Sequence, residues 1–195
     1  AASKEASANS PLQAAQLLVR RRHPDLALPK LERTLSKEPA NGQALLTKAE
    51  ALAMLGRSDE GLTVLSGLIR RDPRNVAALI LRSNIHLLNG SYKEANADAK
   101  QAIQINPNSA EAHMALSQGL YHVGKGKEWE SECARALKLE PKNSTVWRQL
   151  GLLNKSMRHG SATVTAFTTA IKLAPGDTRN YDDLASYFLD RKQYD

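Results

Sequence analysis

The residues between 119 and 126, "GLYHVGKG", carry glycines and a lysine at the spacing of a phosphate-cradling loop. Such a loop needs a strand ahead of it and a Ser or Thr directly after the lysine to ligate magnesium. Gly126 stands where that hydroxyl is required. The preceding run "AEAHMALSQGLYHV" sets Met114, Leu116, Leu120 and Val123 at helical spacing rather than a strand's alternation, so nucleotide binding is not expected. The five histidines, His23, His86, His113, His122 and His159, are scattered without ligand spacing, and neither HExxH nor CxxC occurs. Cys133 falls where a helix buries an apolar residue. No catalytic, cofactor-binding or metal-binding residue is expected, and the chain does not read as an enzyme. Asn89, Asn143 and Asn154 open NxS/T triplets, of which Asn154 is expected to be too buried to accept a glycan.

Composition sets broader limits. Among 195 residues, 42% are hydrophobic and 24% charged, which places the chain in the globular class. A single cysteine excludes an internal disulfide framework. No apolar run approaches the roughly 18 residues of a transmembrane helix, so the chain reads as soluble, cytoplasmic or periplasmic, without membrane insertion. The opening "AASKEASANS" is small and polar, compatible with a cleaved leader, a linker or an added end; residues 1–7 read as a flexible extension. A net charge of +7 invites a nucleic-acid reading, but the distribution disfavours it. Arg20, Arg21, Arg22, Arg70 and Arg71 close helices, where cations offset the negative end of the helix dipole. Aromatic residues make up only 5% and do not interleave with basic ones as stacking platforms.

The elements that must carry these residues are periodic. Pro39, Pro73, Pro107, Pro141 and Pro175 lie 34 residues apart, in "SKEPAN", "RRDPRN", "QINPNS", "KLEPKN" and "KLAPGD". Before each tooth comes a break, "LGRSDEG", "NGSYKEA" or "VGKGKEW", with "RRHPDLA" and "MRHGSAT" filling the same slot differently. The unit is helix, tight turn, helix, proline, because a proline past the last turn keeps the helix from running on. Ser109 and Ser144 are placed to cap the helices that follow. Pro29 sits early in a second helix and deletes a backbone donor unless that helix starts only at about Asp25 or Leu26.

This pattern resembles the tetratricopeptide repeat family. "WRQLGLLN", with Trp147, Leu150 and Gly151, and "YKEANADAKQAIQINP", with Tyr92, Ala95, Ala102 and Pro107, match it best, and Phe167, Ala170 and Pro175 match in repeat five. The resemblance implies an all-α solenoid, a right-handed superhelix of about five helix pairs plus a terminal helix. Its array covers 8–195, as repeats 8–41, 42–75, 76–109, 110–143 and 144–177 and a partial sixth at 178–195. Trp129 departs from the pattern, standing where the second helix normally keeps a small residue, so repeat four is expected to pack loosely or shift. Lys48 and Arg82 take a usually apolar position, with stems expected to pack and charges to reach water. The sixth unit stops after one helix bearing Tyr181, Leu184, Ala185, Phe188 and Tyr194, and further repeats or domains are expected beyond residue 195.

The resemblance also implies a partner. Family positions two, five, nine, twelve and thirteen of each first helix face a concave groove that holds a protein or peptide segment. Here the groove residues are Leu46, Glu50, Met54, Ile80, Asn84, Leu87, Met114, Gln118, Tyr121, Arg148 and Lys155, apolar and amide-rich in the middle and basic at the far end. The family's clamp for terminal carboxylates is not reproduced, since of its five positions only Asn84 matches. The function expected is a non-catalytic interaction scaffold. The alternative is a spacer within a larger protein, such as a bacterial polysaccharide-export scaffold.

Overall fold

A computed structural model describes residues 10–192, and the extension at 1–7 lies outside them. The described residues form eleven α-helices and no strand. They divide into two compact units, one ending at Ile105 and the other beginning at Asn106.

Unit 1 contains α1 (Pro11–Arg20), α2 (Pro24–Lys37), α3 (Gly42–Met54), α4 (Ser58–Arg71), α5 (Val76–Leu88) and α6 (Tyr92–Ile105). Unit 2 contains α7 (Ala110–His122), α8 (Gly126–Leu139), α9 (Ser144–Ser156), α10 (Gly160–Leu173) and α11 (Thr178–Lys192). Within each unit consecutive helices pack as pairs, and successive pairs stack, the architecture of an all-α solenoid.

The 34-residue period appears as repeated local chemistry. At each proline tooth the chain closes one turn, with the amides of Asn41, Asn75, Ser109, Asn143 and Asp177 donating to the carbonyls of Glu38, Asp72, Asn106, Glu140 and Ala174. The same residues then begin the next helix. Asn41, Asn75 and Ser109 accept from the amides three residues on, which satisfies one of the free donors of the first turn. Ser109 therefore caps as expected. Ser144 does not, because Asn143 accepts from the Thr145 amide at 2.8 Å and leaves Ser144 as the first helical residue.

Between the two helices of a pair, one residue is left-handed in every repeat. Gly56, Gly90 and Gly124 hold φ near 75°, where the lack of a Cβ removes the steric cost. Arg22 and Arg158 hold the same conformation at φ 59° and 58°. Pro29 lies inside α2, which begins at Pro24, so the Asp25 carbonyl loses its usual amide partner and the helix continues regardless.

The two helices of a pair approach closely at positions twelve residues apart in sequence, Ala49 with Gly61, Ser83 with Ala95 and Ser117 with Trp129. Ala15 with Ala27 and Gly151 with Thr163 hold the same places in their repeats. All five first-helix members are buried. Ser83 Oγ donates to the Ala95 carbonyl at 2.8 Å, and Ser117 Oγ donates to the Trp129 carbonyl, also at 2.8 Å. Repeat four thus keeps at Trp129 the same serine-to-carbonyl bond that repeat three makes at Ala95. Its side chain is accommodated partly buried, edge-on to the Tyr121 ring at 6.0 Å.

Small residues fill the cores. In unit 1, Ala15, Ala27, Ala44 and Ala51 pack with Val19 and Leu31; in unit 2, Ala110, Met114, Cys133, Ala136 and Val146 pack with Trp129 and Leu150.

Candidate functional site

The groove positions belong to the first helices, and the structure sorts them into three kinds. In unit 1, α3 and α5 pack side by side. Leu46 and Glu50 on α3 are partly buried and Met54 is 39% exposed. On α5, Asn84 and Leu87 are partly buried, and the neighbouring Leu88 is 77% exposed. This face keeps apolar side chains partly in water next to an amide and a carboxylate. Ile80, in contrast, is buried and belongs to the interior of the unit.

In unit 2, Gln118 and Tyr121 on α7 are partly exposed, and Tyr121 lies in aromatic contact with His122 and Trp129. Met114 is fully buried among Ala110, Cys133, Ala136 and Val146. Its expected role in the groove is therefore corrected to one in the core, because α7 turns that side chain toward α8 and α9.

The basic end is also corrected. Arg148 Nε donates to Asp183 Oδ2 at 2.6 Å, and Lys155 Nζ meets Asp190 Oδ2 at 2.6 Å and donates to Ser186 Oγ at 3.1 Å. Both cations are thus held by α11 rather than presented to a ligand. A sequence signal for this existed, since each pair is separated by 35 residues, one period plus one, which sets the partners on adjacent first helices. Similarly, the charge of Arg82, whose side chain is 21% exposed, is directed at a carboxylate rather than at open water. It forms a two-pronged bond to Asp98 on α6, both arms 2.7 Å, and donates to Ser66 on α4 at 3.2 Å. That carboxylate raises the guanidinium's already high pKa further.

The residues that first suggested chemistry have structural roles. Gly119 lies inside α7, and Lys125 is exposed at the turn, 3.6 Å from Glu128. Burial pushes the Cys133 thiol up to about 11, leaving it far from the thiolate form a nucleophile needs. His113 is buried with Nδ1 2.5 Å from Glu132 Oε2 and Nε2 3.0 Å from the Pro107 carbonyl. One period later the Trp147 indole makes the equivalent bond, donating to the Pro141 carbonyl at 2.8 Å. Both rings tie a first helix to the tooth before it. Asn154 is buried, in keeping with the expectation that it accepts no glycan. Among the described residues no group of three potential ligands converges as a metal site, and no helix is long and apolar enough to cross a membrane.

The tetratricopeptide repeat profile matches residues 12–73 and 55–110, together half of the chain. Among solved structures, TTC0263, a thermophilic protein of this repeat class from Thermus thermophilus, matches with a TM-score of 0.77 at 24% identity. That match covers 92% of this chain and 97% of that one. MamA from Desulfovibrio magneticus RS-1, residues 41 to its end, matches with a TM-score of 0.59 at 22% identity, covering 83% and 91%. At such identities the likeness concerns the fold. No curated protein sequence matches the chain.

Proposed function

Because the chain belongs to the tetratricopeptide repeat family, whose members generally serve as non-catalytic scaffolds for proteins or peptides, we propose that the α3–α5 face of unit 1 docks a protein segment. The observation that carries this reading is the exposure of Met54 and Leu88 beside Leu46, Leu87, Asn84 and Glu50. Methionine adapts to irregular apolar partners, and Asn84 can both donate to and accept from a bound backbone. An extended or helical segment with alternating apolar side chains and few charges fits this chemistry. In unit 2 the corresponding positions offer only Gln118 and Tyr121, since Met114 is internal and Arg148 and Lys155 are paired.

Segments selected against the whole chain from a peptide display library provide the ligand for a titration. Met54→Glu should weaken binding by several kcal/mol, because a carboxylate would have to lose its water against an apolar side chain. It should leave the melting temperature nearly unchanged, since that side chain is open to solvent without a ligand. Tyr121→Glu tests the smaller surface in the same way. Full affinity in both variants would overturn the docking face and favour the spacer. Unfolding of Met54→Glu would show instead that the side chain belongs to the core.

A further inference from the structure

In unit 1 the helices α1, α3 and α5 pack side by side and end on Arg20, Met54 and Leu88. Each end is followed by the same cap, in which the amides of Arg21, Leu55 and Asn89 donate to the carbonyls of Leu17, Ala51 and Ile85. The helix ends therefore lie in register and form one rim of the unit, on which Met54, Leu55 and Leu88 are 39%, 39% and 77% exposed. On the α1 side of these apolar residues stand Arg20 and Arg21, both exposed. Their exposure belongs to the position rather than to the first repeat, since the last residue of the first helix is exposed in every complete repeat, at Arg20, Met54, Leu88, His122 and Ser156.

Closing a helix does not account for these arginines. A helix C-terminus carries about half a negative charge, which one cation offsets. The last turn of α3 manages with no cation at all. α1 ends on Arg20 with Arg21 as its cap, and among the described residues neither meets a carboxylate within ion-pair distance. In the next repeat, by contrast, the turn arginine Arg57 is held by Glu60 at 2.6 Å. The rim thus sets unneutralised positive charge directly beside an apolar row. Building on the docking face above, we propose that the segment held on α3 and α5 carries acidic residues at one end, and that Arg20 and Arg21 receive them. Its apolar side chains cover Met54 and Leu88, and its carboxylates lie over the end of α1. Neighbouring helix axes are about 8–10 Å apart and an extended chain rises about 3.3 Å per residue, so about three residues separate the one that covers Met54 from the carboxylate at Arg20. At an exposed rim such charges act chiefly by speeding encounter and by rejecting segments with basic ends.

Segments selected from the display library against the full 195-residue chain should carry Asp or Glu about three residues to one side of their apolar core. Each is titrated in its own form and with those acids replaced by Asn or Gln. The amide form should bind about tenfold more weakly, and raising the salt from about 50 mM to about 500 mM should close that gap, because screening removes exposed pairs. Arg20→Glu combined with Arg21→Glu should weaken binding of the acidic form alone by about tenfold, at an unchanged melting temperature. Arg70→Glu with Arg71→Glu, an equally exposed pair that ends α4 at the proline tooth and so at the far end of the repeat from Met54, should bind as the unaltered chain does. Binding that Met54→Glu abolishes, but that neither the arginine reversal nor the amide form weakens, overturns this proposal and keeps the docking face. Binding that Met54→Glu leaves intact, or a library that yields no segment, overturns both. A single-stranded oligonucleotide that binds as tightly as the acidic segment, and is lost with the same two arginines, overturns the proposal too by making the rim a general polyanion site. Should the arginine reversal fail to fold, the amide form and the salt series on the unaltered chain decide alone.

Discussion

Repeats two and five solve the same crossing with glycine on opposite helices. In repeat two the glycine is on the second helix, and a Cβ added at Gly61 would lie 3.1 Å from the Ala49 carbonyl oxygen. In repeat five it is on the first helix, and a Cβ added at Gly151 would lie 2.5 Å from the ring of Phe167, a fully buried side chain. The element order and turn are common to both, while the group that fills the space beside the glycine is not. What the period preserves is therefore the position of the crossing and its turn, and each repeat is free to choose which helix yields volume.

The contrast can be tested by adding one methyl group to each side. Gly151→Ala forces a buried aromatic ring to move, and overpacking of this kind costs about 1–3 kcal/mol, more than the roughly 1 kcal/mol an alanine contributes to a helix interior. The difference is a net loss of up to about 2 kcal/mol. Both tryptophans, Trp129 and Trp147, lie in unit 2, so denaturation followed by their fluorescence reads this loss where it arises. An unchanged or raised midpoint would show that Phe167 yields freely and would remove the distinction between the repeats.

A smaller effect of opposite sign is expected at the turns. Arg158 adopts the left-handed conformation that Gly124 adopts one repeat earlier. That conformation costs a residue with a Cβ about 1–2 kcal/mol, partly offset by the greater unfolded-state freedom of glycine. Arg158→Gly should thus stabilise unit 2 by about 0.5 kcal/mol, measured as a shift in denaturant midpoint at constant slope. Destabilisation would show that the arginine side chain supports the turn more than its backbone strains it.

The smallest effect should come from Gly61→Ala. The added methyl meets a carbonyl oxygen that must retreat only a few tenths of an ångström, while the helix gains propensity, so the change should stay within about 0.5 kcal/mol. A loss as large as that of Gly151→Ala would mean that the backbones, and not the fillers, set the crossing.

Much of this architecture is legible in residue spacing. The proline comb locates every helix pair, because a proline and the residue before it both oppose helical continuation. The placement of Ser109 as a cap follows from the same logic, and Ser144 fails only because Asn143, one residue earlier, reaches the free amide first. Side-chain fate is less legible. Met114 and Met54 occupy groove positions of the family on their first helices, yet Met114 is fully buried against α8 and α9, whereas Met54, the last residue of α3, is 39% exposed. Arg148 and Lys155 read as free cations because their carboxylate partners lie a full period away, beyond the window in which helical pairing is normally sought. Arg82 is concealed for a related reason, since Asp98 is reached across the pair rather than along one helix.

The turn at each proline tooth is closed by bonds that span no more than six residues, and this bears on how such a chain can be inherited. Asn41 and Asn75 each accept from the amide three residues on, and each donates its own amide three residues back. Excision of residues 42–75 would join Asn41 to Val76 and leave an asparagine cap in front of α5, with a proline turn behind it, as before. Duplication of the same block would create the same junction in reverse. The turn's own bonds take nothing from the residues being removed or added, so unequal recombination by whole periods leaves each proline turn and cap intact, while α5 exchanges α4 for α2 as its neighbour and Arg82 loses Ser66.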